Sequence, residues 1–293
     1  MEATSQSQNL EGRTAQKREV VDIGINLTNR AFRSHWKEVV QRAIDNGVTR
    51  MVLTGTSIKT SRESLALAQK WYEETGTANL YVTIGIHPHD AKSWENGNGD
   101  TRISTLEQMN EMLQHPLAVA VGECGLDYNR NFSSKQDQIH AFKEQVKLAV
   151  ELDMPLFLHE REAHHDLVQT LDIVQKENVE RNLPQIVVHC FTGTEKEAET
   201  YVERGYYLGF TGTICKTQRG APLREFLPKI PLDKVMVETD APFMGFKKGR
   251  RGSEPSDCAD VANQLSKTMK VPLALVCETT TKNATTFFRI PST

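Results

Sequence analysis

Eight short runs of apolar and β-branched residues recur along this chain, and longer stretches with helical periodicity lie between them. The runs cover residues 20–25, 51–54, 80–86, 118–121, 156–158, 186–188, 206–210 and 235–237. Nearly continuous apolar strands that alternate with helices are typical of a parallel sheet covered by helices. Eight such units predict an α/β fold closed into a single TIM-like (β/α)8 barrel, with a doubly wound open sheet as the alternative.

The stretches between the runs agree with this alternation. Residues 136–152 place Ile139, Phe142, Val146 and Ala149 on one stripe of a helix, and residues 57–71 and 195–201 show similar spacing. The chain has 293 residues, and one barrel needs about 250. We therefore expect a disordered polar lead-in over residues 1–19 and one barrel domain over residues 20–293.

Composition restricts the compartment and the partners. A net charge of −3 argues against a broadly basic surface, so a nucleic acid would be contacted locally, and the one basic cluster is residues 247–251. The five cysteines include no Cys-x-x-Cys pair, and no apolar run approaches the roughly 20 residues of a membrane span. The residues 1–19 lack a secretory hydrophobic region. We expect a soluble cytoplasmic protein, with the nucleus as the alternative location and a monomer favoured.

Polar side chains follow most of the predicted strands, at the point where each apolar run stops. The segments are Asp-Ile-Gly-Ile-Asn at 22–26, Gly-Ile-His-Pro-His-Asp at 85–90, Gly-Glu-Cys-Gly-Leu-Asp at 122–127, Leu-His at 158–159, Val-His-Cys-Phe at 188–191 and Glu-Thr-Asp-Ala-Pro at 238–242. Because the carboxyl ends of barrel strands meet at one mouth, these side chains should converge in space.

Each of these residues has an ordinary structural interpretation when taken alone. His159 could be a hydrogen-bonded structural residue, Glu123 could cap a turn, and Asp240 could cap a helix. Carboxylates and imidazoles on four separate strand ends change this balance, because buried charges need partners or a metal. Two imidazoles with two carboxylates can hold a divalent cation and leave positions open for water and substrate.

Competing motifs are weaker. His159 and His164 resemble a zinc-protease helix, but they are five residues apart and would not share a helical face. The sequence has no phosphate-binding Gly-rich loop and no Gly-x-Ser-x-Gly segment.

The segments at 22–28, 85–90, 122–127, 189–193 and 238–242 resemble those of the TatD-type deoxyribonuclease family, within the metal-dependent amidohydrolase superfamily. The resemblance runs from about residue 20 to residue 288. It implies a TIM-like barrel, a divalent-metal site and hydrolysis of DNA phosphodiesters by a 3′-to-5′ exonuclease. Because loops wall the barrel mouth, a flexible strand end should enter more readily than a duplex, so we expect a preference for single strands, with RNA as the alternative substrate.

The resemblance also implies roles for individual residues. The metal ligands are Glu123, His159, His189 and Asp240, and the catalytic residues are Asp240 as general base and Glu123, which can bridge two ions. The residues expected to contact substrate are Asn26, His87, His89, Arg161 and His164. Mg²⁺ is the expected cation, with Mn²⁺ or Zn²⁺ as alternatives and one or two ions bound.

Three positions depart from related patterns. Many superfamily relatives carry His-x-His on the first strand, where Gly24 and Asn26 stand here, as they do in the TatD branch. The family usually shows Asn-Glu-Pro followed by histidine, where this chain reads Ser-Glu-Pro-Ser-Asp at 253–257. Glu160 stands where cysteine is common, and its carboxylate would add negative charge near a metal.

Two rival functions keep the barrel. A metal-dependent hydrolase of a small amide or ester is the first, because one fold supports many chemistries. A nucleic-acid binder that has lost its activity is the second, but the four strongest ligand candidates are all present. The basic cluster at 247–251 favours a phosphate backbone, although it could be a solvated loop. Trp94 and Phe246 are the aromatic residues expected to stack on bases, in the two longest insertions, 94–100 and 245–257.

Overall fold

The computed structural model describes residues 19–94 and 104–291, and within them the eight predicted runs all form strands. The strands are β1 (Val20–Ile25), β2 (Val48–Leu53), β3 (Leu80–Ile84), β4 (Ala118–Asp127), β5 (Leu156–Arg161), β6 (Ile186–Val188), β7 (Tyr207–Phe210) and β8 (Val235–Val237). They form one eight-stranded sheet in sequential order, and every neighbouring pair is parallel. The predicted TIM-like barrel is confirmed.

The barrel closes between its first and last strands at the mouth. Ile25 forms a parallel bridge with Ala241, just beyond β8. The Asn26 amide donates to the Ala241 carbonyl at 2.7 Å, and the Asp240 amide donates to the Gly24 carbonyl at 2.8 Å. Asn26 and Asp240, which are distant in sequence, are therefore fixed side by side by backbone pairing.

Helices cover the outside of the sheet. In the described residues they are α1 (Trp36–Asp45), α2 (Ile58–Thr75), α3 (Thr105–Leu113), α4 (Lys135–Leu152), α5 (His164–Glu177), α6 (Glu195–Glu203), α7 (Ala221–Phe226), α8 (Cys258–Met269) and α9 (Leu273–Phe288). The predicted helical stretches correspond to α2, α4 and α6. Each of these three begins at a capping box, set by Ser57, Ser134 and Thr194, whose hydroxyls accept free amides of the first turn.

The interior of the barrel is packed and closed at its amino end. Inward-facing strand residues form one apolar cluster that includes Val21, Ile23, Val52 and Phe157. Helix α9 adds Phe287 and Phe288 to this cluster, with the Phe287 ring 5.7 Å from that of Tyr207 at the start of β7. The carboxyl end is thus left as the mouth, where polar groups can meet.

Two strands extend further toward the mouth than predicted. β4 was expected to end at residue 121 and β5 at residue 158, but both continue and pair as far as Asp127 with Arg161. Gly122 and Gly125 suggest a strand end in the sequence, yet a Cβ at either would lie within 2.2 Å of a β5 carbonyl oxygen. The glycines permit close pairing of the two strands instead of ending one.

No helix in the described ranges is long and apolar enough to cross a membrane. Residues 1–18 of the predicted lead-in and residues 95–100 of the first predicted insertion lie outside the described residues.

Candidate metal centre and active site

Glu123 lies at the centre of a histidine cluster at the barrel mouth. Its Oε1 atom is 2.8 Å from His189 Nε2, 2.9 Å from His159 Nδ1 and 3.3 Å from His87 Nε2. Glu123 lies within β4 and His159 within β5, whereas His87 and His189 lie in the segments that follow β3 and β6. Three of the four predicted ligands, Glu123, His159 and His189, therefore contact one another, and His87 lies in the same cluster.

Asp127, at the end of β4, links the cluster to His89. Its Oδ2 atom is 2.9 Å from His89 Nε2 and 3.3 Å from His159 Nε2. Its Oδ1 atom accepts the backbone amides of Asn129 and Arg130, each at 2.9 Å. Asp127 is the last residue of the segment at 122–127, but no role was predicted for it. The extension of β4 that directs its side chain toward the histidines was not predicted either.

Glu238 holds His189 from the opposite side. It is fully buried, with Oε2 3.2 Å from His189 Nδ1 and Oε1 accepting the Cys190 amide at 2.5 Å. A Cβ on Gly24 would lie 2.5 Å from the Glu238 carboxylate. Glu238 therefore occupies the space that a side chain at position 24 would need.

Asp240 lies next to Asn26 at the point where the barrel closes. Asn26 Nδ2 donates to Asp240 Oδ1 at 3.0 Å, and Asp240 has a positive φ of 52°. Such a conformation is uncommon for a residue other than glycine and needs support from its surroundings. Part of that support is Asp22, whose carboxylate accepts the Thr239 amide at 2.9 Å and the Thr239 hydroxyl at 2.6 Å.

The protonation states reflect this crowding of buried charges. Burial alone would raise the pKa of Glu123, but the surrounding imidazoles hold it well below its ordinary value. Burial would lower the pKa of His189, but Glu123 and Glu238 raise it well above its usual range. Burial raises the pKa of Asp240 to about 7. The charged forms of Glu123 and His189 depend on each other, whereas Asp240 has no cationic contact of equal strength.

The donor set suits a divalent cation. His159 and His189 each face carboxylate oxygens with both ring nitrogens. A neutral imidazole donates from one nitrogen only. At the other nitrogen of each ring, its lone pair therefore faces a lone pair of a carboxylate oxygen, unless a proton or a cation lies between them. Asp240 adds a further, half-buried carboxylate, and a cation would compensate this excess negative charge. The ligand atoms of His87, Glu123 and His159 all lie within 4.8 Å of one another.

His87 differs from the other two histidines in its hydrogen bonding. Its Nδ1 atom accepts the backbone amide of His89 at 3.0 Å. An amide can only donate, so Nδ1 is unprotonated and the proton of the neutral ring is on Nε2. Burial lowers the pKa of His87, which favours this neutral form. His87 thus presents an N–H donor toward the cluster, which suits an anionic oxygen better than a metal.

Arg161 and His164 lie beyond this cluster. Arg161 is exposed at the end of β5, and His164 begins α5 with its ring 4.8 Å from that of Tyr201. Glu160 turns away from His159, because its carboxylate accepts the Ala163 amide at 2.7 Å and the Tyr201 hydroxyl at 3.4 Å.

An acidic cleft of about 710 Å³ lies on this side of the mouth. Its walls come from the end of β5, the segment after β6, the start of α6 and α7, and they include Glu160, Glu162, Glu195, Glu197 and Glu225. Arg161 is the positively charged residue among those that line it.

The basic cluster at 247–251 divides into two pairs. Lys247 Nζ is 2.8 Å from Asp257 Oδ1, and Arg250 contacts the other oxygen of the same buried carboxylate. Lys248 and Arg251 are exposed and form no ion pair with any residue that the structure describes. Asp257, in the segment that departs from the family pattern, therefore anchors half of the basic loop.

An eight-stranded parallel barrel with imidazoles and carboxylates gathered at its mouth defines the class of metal-dependent hydrolases. The chain belongs to the TatD related DNase family, whose model matches residues 21–289. The predicted resemblance is confirmed over nearly the whole described chain.

Curated relatives agree with this assignment. A protein of Shigella flexneri serotype 5b, named 3′-5′ ssDNA/RNA exonuclease TatD, is 38% identical over 92% of this chain and 98% of its own length. The protein of the same name from Escherichia coli K12 is 37% identical over the same shares.

Solved structures show the same relationship. A TatD homologue from Escherichia coli K12 has a TM-score of 0.81 and 28% identity, covering 94% of this chain and 100% of that one. A TatD family hydrolase from Entamoeba histolytica has a TM-score of 0.81 and 25% identity, covering 92% and 98%. A Xaa-Pro dipeptidase with a TM-score of 0.60 and 11% identity, which covers 93% of this chain and 75% of that one, shares the fold alone.

Proposed function

We propose that this chain is a divalent-metal-dependent nuclease that removes nucleotides from the 3′ end of single-stranded DNA, with RNA as a second substrate. The observation that carries the proposal is the contact of three imidazoles with one oxygen of Glu123 at the barrel mouth. The names of the curated relatives support the substrate and the polarity. They favour a nucleic acid over a small amide or ester.

Glu123, His159, His189 and Asp240 would hold the cation. A divalent ion held there would neutralise phosphate charge and make a water molecule more acidic. We propose Mg²⁺ on the resemblance to the family, and Mn²⁺ and Zn²⁺ are alternatives because the set mixes oxygen and nitrogen donors. Glu123 would remain a ligand if a second ion bound.

The remaining side chains bind the phosphate and move the proton. Asp240 takes a proton from the attacking water, and Asn26 holds its carboxylate in place through the 3.0 Å hydrogen bond. His87 donates from Nε2 to an oxygen of the scissile phosphate. His89, oriented by Asp127, contacts the same group. Arg161 and His164 contact the strand further out, beside the acidic cleft.

The direct test is the Glu123→Gln variant on a 5′-labelled single strand, with product lengths resolved in time. An amide cannot carry the negative charge that compensates the imidazoles, so cleavage should fall by at least about 100-fold. Glu160→Gln is the matched control, because this carboxylate contacts Ala163 and Tyr201 instead of the cluster. Wild-type cleavage that persists in EDTA, or an active Glu123→Gln variant, would contradict the proposal.

A further inference from the structure

A row of aromatic rings leads from the metal centre to the surface. The ring centroids of His159 and His87 are 4.5 Å apart, and those of His87 and His89 are 4.2 Å apart. Phe132 continues the row, with its centroid 4.8 Å from that of His89 and its ring nearly perpendicular at 87°. The side chains become more exposed along the last three rings, and Phe132 is 59% exposed.

The loop that carries Phe132 is firmly held. The hydroxyl of the neighbouring Ser133, a buried residue, donates to the His89 carbonyl at 3.0 Å and accepts the Lys92 amide at 3.1 Å. Earlier in the loop, Asp127 accepts the amides of Asn129 and Arg130. An exposed phenyl ring loses apolar burial that a flexible loop could recover by folding inward. This loop is braced on both sides of the ring, so the ring stays presented to solvent.

Few other aromatic side chains are exposed in the described part of the chain. Trp94 and Phe246, which were expected to stack on bases, are partly buried and packed against the core. In the described part of the chain the exposed large aromatic residues are Tyr72 at 50%, Phe132 at 59% and Phe243 at 49%. Tyr72 lies near the carboxyl end of α2, away from the mouth, whereas Phe243 follows Asp240.

We propose that Phe132 is a stacking surface for the base of one of the two nucleotides that flank the scissile phosphate. This inference rests on the proposed function. The phosphate would lie at His87 and His89, and the base one ring further out on Phe132. Stacking on a phenyl face accepts any base, so it would hold a strand end without sequence preference.

The test combines Phe132 variants with strands that lack single bases. Strands with a 5′ label carry a normal 3′ end or an abasic tetrahydrofuran residue at the last or the penultimate position. Wild type should lose about five- to tenfold in kcat/KM at one of these positions, through KM. On the normal strand, kcat/KM of Phe132→Ala should be lower than that of wild type by the same factor. On that abasic strand, kcat/KM of Phe132→Ala should fall no further. Phe132→Trp should retain the wild-type pattern.

Two controls separate stacking from support of His89. Phe132→Leu keeps an apolar contact with the imidazole but offers no aromatic face, so it should behave as Phe132→Ala. Tyr72→Ala removes a similarly exposed ring from a remote helix and should retain the wild-type response to abasic residues. The inference would be overturned if Phe132→Ala lost further kcat/KM at both abasic positions, in addition to its loss on the normal strand. It would also be overturned if the response to abasic residues were lost in Phe243→Ala but retained in Phe132→Ala.

A binding measurement keeps this test independent of catalysis. Fluorescence anisotropy in EDTA should show the same single-position loss for the abasic strand and the same non-additivity with Phe132→Ala. If wild type binds in this pattern but never cleaves, the proposed nuclease activity fails and the stacking surface stands. If it cleaves but all strands bind alike with and without the Phe132 ring, the stacking surface fails and the nuclease stands.

Discussion

At the scale of single residues, Glu238 determines how His189 can act. It is fully buried, contacts His189 Nδ1 at 3.2 Å, and is accommodated because Gly24 and Gly209 have no side chains. A carboxylate behind a metal-binding imidazole fixes the ring and makes its other nitrogen a stronger ligand.

Glu238→Gln should therefore weaken metal binding by about 10- to 100-fold, because the imidazole loses its charged partner. Calorimetric titration of the metal-free protein with Mn²⁺ measures this directly. Glu177→Gln, on the exposed surface of α5, is the control and should bind as wild type does. Unchanged affinity in Glu238→Gln would show that Glu238 only fills space.

The raised pKa of Asp240 predicts a pH dependence of metal binding. Burial raises this pKa to about 7, so the metal-free carboxyl is mostly protonated below pH 7 and mostly ionised above it. A cation must displace that proton as well as those of His159 and His189, whose pKa values neighbouring carboxylates raise, so affinity should increase with pH throughout. The Asp240 proton should make this increase steeper by about tenfold per pH unit below 7 than above it. Mn²⁺ titrations between about pH 5.5 and 8 check this sign. Asp240→Asn should bind more weakly and lack the step near pH 7, and a step of equal size in that variant would assign the proton elsewhere.

The sequence predicts part of this site and misses the rest for a physical reason. Glu123, His159 and His189 stand at the ends of apolar runs, and barrel geometry alone brings such positions together. Asp127 and Glu238 lie in the same motifs, but their roles depend on which way a side chain points. Successive side chains of a strand point to opposite faces of the sheet. The face of a residue near the strand end can therefore be predicted only when the position of that end is known.

At the scale of elements, the loop between β8 and α8 acts through two different sets of cations. Lys247 and Arg250 neutralise the buried Asp257, whereas Lys248 and Arg251 extend into solvent. A buried carboxylate that loses its partners destabilises the fold, while an exposed cation is available for phosphate.

The double variant Lys248→Ala/Arg251→Ala should lower the slope of log affinity for single-stranded DNA against log salt by about 0.7 for each lost phosphate contact. Its thermal stability should remain that of wild type. Lys247→Ala/Arg250→Ala should instead lower the melting temperature. Anisotropy titrations at several salt concentrations and thermal unfolding separate the two pairs. An unchanged salt slope in the first variant would mean that the loop is merely solvated.

The strands show what periodicity can and cannot define. Apolar runs predicted β1, β6 and β8 with their observed bounds, because these strands end where the apolar residues end. β4 passes through Gly122 and Gly125 with positive φ angles of 144° and 138°, and it continues because β5 pairs with it. Pairing with a distant segment is invisible to a local pattern.

At the scale of the whole molecule, the barrel places two unlike surfaces on either side of one mouth. The acidic cleft lies at the ends of β5 and β6, and the exposed cations Lys248 and Arg251 lie beyond β8. A phosphate backbone would be repelled from the carboxylates of the first, with Arg161 as the cationic contact there, and attracted to the second. A flexible strand end can follow such a path, whereas a stiff duplex must be bent or opened to do so.

The measurement that tests the account most directly compares linear and circular single-stranded DNA with Mg²⁺ and with EDTA. The account predicts that the linear strand loses one nucleotide at a time from its 3′ end, that the circle stays intact, and that EDTA stops all cleavage. Rapid cutting of the circle would contradict it, because a circle has no end to bind at the barrel mouth.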